Sequence, residues 1–188
     1  MNVDTRRTRF ERLAPEVIDA VRRYLARRTD PATADDVLSE TLLVCWRRLD
    51  EIPEEHLPWA YGVARNCLAN AERGYRRQFR LLSRLARLDP PPSQTVDGPE
   101  QTVDGPETED DDLTQAMKEL TVKDAEILRL WAWEDLPPAQ IATVMGITAN
   151  AASIRLHRAK QKLRDALEKN RKNGDRAGHE QPTERRRS

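Results

Sequence analysis

The stretch that decides the fold is Pro137–Lys160, PPAQIATVMGITANAASIRLHRAK. It opens on two prolines, which suit the first turn of a helix and break one further in. Ile141, Ala142 and Met145 then recur at helical spacing, so a short helix turns them to one side. Gly146 follows, and glycine enters left-handed backbone freely, so the chain turns there. Ala142 is small enough for two helices to cross closely. Thr148 is placed to cap a second, longer helix. In that helix Ala152, Leu156, Ala159, Leu163 and Leu167 form an inward stripe. Asn150, Ala151, Ile154, His157, Arg158, Gln161 and Lys162 project the other way, with Arg155 at the border. A helix-turn-helix with such an outward face is shaped for a major groove. There Arg and Lys bond guanine, Asn and Gln bond adenine, and Ala151 or Ile154 touches a thymine methyl. The competing reading is a plain helical hairpin used for packing; the Ala-x-x-x-Gly turn together with a basic outward face favours DNA. His157 has no second ligand near it and reads as a phosphate or solvent contact.

Upstream, Thr121–Trp133 reads as a helix with Thr121 and Asp124 as a capping pair, preceded by a short helix over Thr114–Leu120. Before these lies a connector from about Leu88 to Asp112. It holds Pro90, Pro91 and Pro92, a perfect tandem repeat of QTVDGPE over Gln94–Glu107, and an acidic run over Glu109–Asp112. Frequent Pro and Gly with like charges predict an extended tether. Each unit holds Gly-Pro and lacks apolar a and d positions, so it is not a coiled coil.

The N-terminal block reads as three helices. Leu13, Val17, Val21 and Leu25 mark the first. The second starts near Thr33 and runs to about Leu49, with Asp35 and Asp36 at its positive end. Leu38, Thr41, Leu42, Cys45 and Leu49 suffice to face a small core, yet Val37, Leu43, Val44 and Trp46 extend the apolar surface. Such a helix is either central or covered by a partner. The third starts near Pro58 and continues toward Arg87. At roughly 100° per residue, Ala60, Ala64, Cys67, Ala71 and Tyr75 make a core stripe. Trp59, Asn66, Asn70, Arg73 and Arg77 fall on a different side, in line with Arg80, Arg84 and Arg87. An aromatic to stack a base, amides to read its edges and guanidiniums for phosphates suit single-stranded nucleic acid. The alternative is a solvated charged face with Trp59 as a core anchor; the scarcity of acids there speaks against it.

The net charge of zero is a sum over unlike segments. Residues 1–87 carry 17 basic and 13 acidic side chains, and residues 88–115 carry none and 9. Residues 116–170 carry 9 and 7, and residues 171–188 carry 6 and 3. Basic blocks thus flank an acidic connector, a distribution that hints at nucleic acid. No apolar run is long enough for a membrane span and no signal peptide opens the chain, which predicts a cytoplasmic protein. Cys45 and Cys67 lie in apolar helical patterns and read as small buried hydrophobes without a zinc-binding partner. With no Gly-rich phosphate loop and no clustered His and carboxylates, neither an enzyme nor a bound metal or cofactor is expected.

Together, DDVLSETLLVCWRRL, then PWAYGVARNCLANAERGYRR, then the C-terminal helix-turn-helix resemble regions two and four of bacterial extracytoplasmic-function sigma factors. The resemblance spans about Phe10–Arg87 and Leu113–Leu167. It implies an all-α protein with a region 2 domain over 1–87, a flexible acidic linker over 88–112 and a region 4 domain over 113–169, while the polar, Gly-containing, Arg-rich tail over 170–188 reads from its composition as disordered. It implies a factor that directs core RNA polymerase, through its β and β′ subunits, to specific promoters and helps open the DNA. Asp36, Glu40, Leu43, Trp46 and Arg47 match the polymerase-docking helix. The loop Asp50–Pro58 matches the segment that captures a flipped base. Trp59, Asn66 and Arg73, with Asn70 and Arg77 on the same line, match the helix that binds and melts the downstream promoter element as single strand. Asn150, Ala151, Ile154, Arg155, Arg158 and Lys162 fall on the helix that reads the upstream element as duplex. The resemblance also brings an anti-sigma factor as a regulatory partner. Departures are Ala60 for a common Leu, Gly62 for a frequent Arg, Asn70 for a frequent Asp, and Ala151–Ile154 for a Thr-Val-Lys-Ser run, so promoter sequence does not carry over. The competing functions are a stand-alone helix-turn-helix regulator and a sigma-like adaptor that binds only a regulatory protein.

Overall fold

The structure, a computed structural model, describes residues 3–88 and 111–177. Among these residues every regular element is a helix. The elements are α1 (Val3–Ala26), α2 (Pro31–Arg47), a 3₁₀ turn (Leu49–Glu51), α3 (His56–Leu88), α4 (Asp111–Glu119), α5 (Val122–Ala132), α6 (Pro138–Met145) and α7 (Ala149–Ala177). The tandem QTVDGPE repeat and the final residues of the tail lie outside the described residues.

The first three helices form a bundle. Val17, Val21 and Leu25 of α1 are buried as their spacing predicts, joined by Ala20 and Tyr24. Helix α2 begins at Pro31, earlier than Thr33, because Asp30 caps it by accepting the Thr33 amide at 3.0 Å. Asp35 and Asp36 therefore sit past the first turn, and Asp30 is the carboxylate at the positive end. The Thr33 backbone N–H holds the Asp30 carboxyl below its ordinary pKa. Helix α2 buries Val37, Leu38, Thr41 and Cys45, so Val37 belongs to the core face. The Thr41 hydroxyl is satisfied inside by donating to the Val37 carbonyl at 2.7 Å. Helix α3 buries Ala60, Tyr61, Ala64, Cys67 and Leu68. The expected core position Tyr75 is instead 57% exposed. The cause is length: α3 outruns the bundle, and from Glu72 onward none of its described side chains is buried. Cys45 and Cys67 are buried and free, and desolvation pushes the Cys45 thiol up to about 11.

In the C-terminal half, α4 starts at Asp111, so the helix takes in residues expected to end the connector. Carboxylates at a helix N-terminus are stabilised there, which favours the earlier start. Helix α7 runs to Ala177, although a disordered tail was expected from Asn170. Lys and Arg are good helix formers, and the Lys169–Glu119 ion pair at 3.2 Å ties this end of α7 to α4. Thr121 caps α5 through the Asp124 amide at 3.2 Å, as its spacing predicts. Gly146 takes φ 65° and ψ 39°, the left-handed turn its type permits. Its amide donates back to the Ala142 carbonyl, as does that of Ile147 at 3.0 Å. Thr148 then caps α7 by accepting the Ala151 amide at 3.2 Å.

The two halves do not stand apart. Their buried residues form one continuous core running from α1–α3 into α5–α7. Helix α6 lies on α3, where Gly62 leaves room for the Val144 backbone.

Candidate nucleic-acid interface

Three groups of side chains carry the expected chemistry, each on its own helix. On α2, Asp36, Glu40, Leu43, Trp46 and Arg47 are all exposed. Leu43 is 46% and Trp46 37% accessible, a large apolar investment for a surface. Trp46 is held in place rather than loose. Phe10 meets it edge-on at 5.3 Å between centroids, and Arg6 lies over its ring at 5.8 Å. Arg6 also donates to the Trp46 carbonyl at 3.0 Å. The apolar excess that made α2 ambiguous in sequence thus resolves into a buried side and an outward Leu–Trp pair.

On α3, Asn66, Asn70, Arg73 and Arg77 are exposed along one line, while Trp59 is half-buried. Trp59 packs on the core edge and carries the Arg48 guanidinium 5.6 Å over its ring. It is both anchor and surface, so the two sequence readings of this residue meet. Arg73 donates to Asn70 Oδ1 at 2.5 Å and to the Ala69 carbonyl at 3.1 Å, which presets both side chains. The line continues at the exposed Arg80; the side chains of Arg84 and Arg87 lie outside the described residues.

On α7, Asn150, Ile154, Arg158 and Lys162 are exposed and Ala151 and Arg155 half-buried. Ile154 is 45% accessible, an apolar side chain presented among polar ones. Lys162 is engaged internally. Its ammonium sits 2.6 Å from Asp124 Oδ2, and that bond, first among its causes, holds the Asp124 carboxyl below the usual range. Sequence reading missed this partner because Asp124 was assigned to a cap. It also missed Trp131 and Trp133. Lys160 Nζ lies 3.3 Å over the Trp131 ring, and Arg27 and Arg129 flank Trp133 at 5.5 and 5.8 Å. Among the described residues no helix is long and apolar enough to cross a membrane.

A three-helix module with an outward Leu–Trp pair, joined to a helix-turn-helix, is the architecture of a bacterial transcription initiation factor. Residues 9–78 match the family described as Sigma-70 region 2, and residues 110–163 match Sigma-70, region 4. The chain is 30% identical over 151 residues to the ECF RNA polymerase sigma factor SigL of Mycobacterium tuberculosis, covering 78% of this chain and 81% of that one. It is 30% identical over 139 residues to the RNA polymerase sigma-E factor of Streptomyces antibioticus, covering 74% and 73%. The chain belongs to the extracytoplasmic-function sigma factors of RNA polymerase. Two solved structures share the fold. The sigma factor RpoE of Bartonella quintana, in complex with the anti-sigma factor NepR, has a TM-score of 0.52 at 18% identity over 85% of this chain and 96% of that one. CnrH, in complex with the cytosolic domain of CnrY, has a TM-score of 0.51 at 21% identity over 89% and 90%.

Proposed function

We propose a division of labour within this sigma factor. Asp36, Glu40, Leu43, Trp46 and Arg47 dock on core polymerase through its β and β′ subunits. Trp59, Asn66, Asn70, Arg73 and Arg77 bind the downstream promoter element as single strand and help hold it open. Asn150, Ala151, Ile154, Arg155, Arg158 and Lys162 read the upstream element as duplex. The observation that carries this is the segregation of surfaces: the exposed apolar pair lies on α2, whereas the amide–arginine line and the recognition face lie on α3 and α7. A stand-alone DNA regulator leaves Leu43 and Trp46 without a purpose.

The physics follows from small contacts used together. Each surface is small, and joining two of them on one polymerase adds avidity that neither has alone. Melting costs stacking free energy; a base stacked on Trp59 recovers part of it. The chain works in the cytoplasm as a non-enzymatic factor, and the nucleotide chemistry belongs to polymerase. An anti-sigma factor fits as the regulatory partner, since the similar sigma factor RpoE is solved with one.

Run-off transcription from genomic DNA, with core polymerase and with or without this chain, tests the reading. New defined start sites are expected. Leu43→Asp is expected to abolish association with core. Trp59→Ala is expected to block opening, read by permanganate footprinting, while association stays intact. Equal loss of association in Trp59→Ala overturns the division of labour.

A further inference from the structure

We propose that Arg48 is a further DNA-binding residue of the single-strand face. It closes over the base stacked on Trp59 and takes the adjoining phosphate, displacing Glu51, which occupies its guanidinium in the free chain. This deepens the reading above and rests on its assignment of Trp59 to single-stranded DNA.

Arg48 is the residue on which α2 ends. Its backbone N–H donates to the Val44 carbonyl at 2.9 Å, and its own carbonyl accepts the Glu51 amide at 2.9 Å, so the side chain starts from a fixed point. From there the guanidinium reaches α3 and lies over the Trp59 ring, 5.6 Å from the centroid. Arg48, Trp59, Val63 and Asn66 line a common cleft of about 210 Å³. A guanidinium is planar and stacks on aromatic side chains, and it stacks on nucleobases for the same reason. A base entering this cleft therefore meets an aromatic ring, an amide and a stacking cation together.

The charge on Arg48 is answered by one carboxylate. Glu51 Oε2 accepts from Nε at 2.9 Å and also from Nη2, while Nη1 makes no hydrogen bond among the described residues. The Arg48 guanidinium holds the Glu51 carboxyl below its ordinary pKa. Both side chains are more than half exposed, at 52% and 58%, and an exposed pair of this kind contributes little to stability. Its geometry is more informative. Two parallel N–H groups on one edge are what a guanidinium offers to phosphate, and here a single carboxylate oxygen fills that edge. A DNA phosphate brings several oxygens to the same place, and its neutralisation releases a counterion from the strand. Glu51 thus marks an anion site on the lip of the cleft, held weakly enough to be exchanged.

Arg48 lies off the line of Trp59, Asn66, Asn70, Arg73 and Arg77 and on a different helix, so the periodicity of α3 does not point to it. It extends the single-strand face from α3 onto the end of α2, beside Arg47 of the docking surface.

The test uses the full chain and a labelled 12-nucleotide single strand of random sequence. Affinity is read by fluorescence anisotropy across a salt series, and helicity by circular dichroism. Arg48→Ala is expected to bind about fivefold weaker at low salt and to flatten the slope of log affinity against log salt by about 0.7, the loss of one phosphate contact. Arg48→Lys keeps the charge without the plane; it is expected to hold the wild-type slope and bind about twofold weaker. Glu51→Gln is expected to bind about threefold tighter. In Arg48→Ala/Glu51→Gln that gain is expected to fall to that of Glu54→Gln, which removes a charge from the same loop without freeing Arg48. Wild-type slope and affinity in Arg48→Ala, or a Glu51→Gln gain that persists without Arg48, would overturn the proposal. Should Arg48→Ala lose helicity, Glu51→Gln against Glu54→Gln decides. Trp59→Ala separates the proposal from the reading beneath it. Weakened binding there, with Arg48→Ala unaffected, overturns Arg48 alone; undiminished binding by Trp59→Ala overturns both.

Discussion

Lys162 shows how a single residue divides its loyalty. Its ammonium is positioned on the recognition helix yet bound to Asp124. Asp124 titrates lower in the folded chain than in the unfolded one, so the pair's stabilisation is present above about pH 4 and is lost as the pH falls through the lower folded value. Asp124→Asn is expected to cost about 1 kcal/mol at neutral pH, discounted because Lys162 is half-exposed, and less near pH 3. Urea unfolding at the two pH values checks this. Freed of Asp124, Lys162 should reach a phosphate more readily, steepening the salt dependence of duplex binding by about one counterion. The residue types on the recognition face were legible in sequence because helical periodicity assigns each an outward direction. The Asp124 partnership was not, since it joins helices whose crossing no local signal encodes.

At the scale of elements, two glycines behave oppositely. Gly146 holds a positive φ, and Gly146→Val is expected to cost roughly 1–2 kcal/mol through the left-handed penalty for a side chain. Gly74 sits inside α3 with open space around its absent Cβ, and Gly74→Ala is expected to stabilise by roughly 0.5–1 kcal/mol. Thermal unfolding of both variants checks the contrast. Caps were readable in advance where the side chain precedes a clean apolar pattern, as at Thr121 and Thr148. Helix α2 starts earlier than Asp35 and Asp36 suggest, because Asp30-Pro31 supplies a cap followed by a first-turn proline. The exposure of Tyr75 escaped periodicity for another reason: a stripe says which way a residue points, not whether anything waits there.

For the whole molecule, the decisive feature is the contact between the two modules. Arg28 is its centre, and replacing a buried ion-pair member ordinarily costs about 3–5 kcal/mol. Here that loss is capped by opening, after which water solvates Glu126 and Glu134. Arg28→Met is therefore expected to turn one cooperative calorimetric transition into two, one per module, rather than to unfold the chain. A single shifted transition would argue that the modules stay coupled without the Arg28 ion pairs. Gly62 lies in this contact, where a side chain longer than a methyl group would meet the α6 backbone.

Helices, caps, the turn at Gly146 and the three chemically distinct faces were set by residue type and spacing alone, because backbone hydrogen bonding and helical periodicity act over a few neighbouring positions. Which faces met was decided by packing. Val144 and Gly62, or Arg28 and Glu134, carry no local mark of belonging together. Their pairing emerges only when apolar surfaces far apart along the chain find a joint burial that excludes water from both.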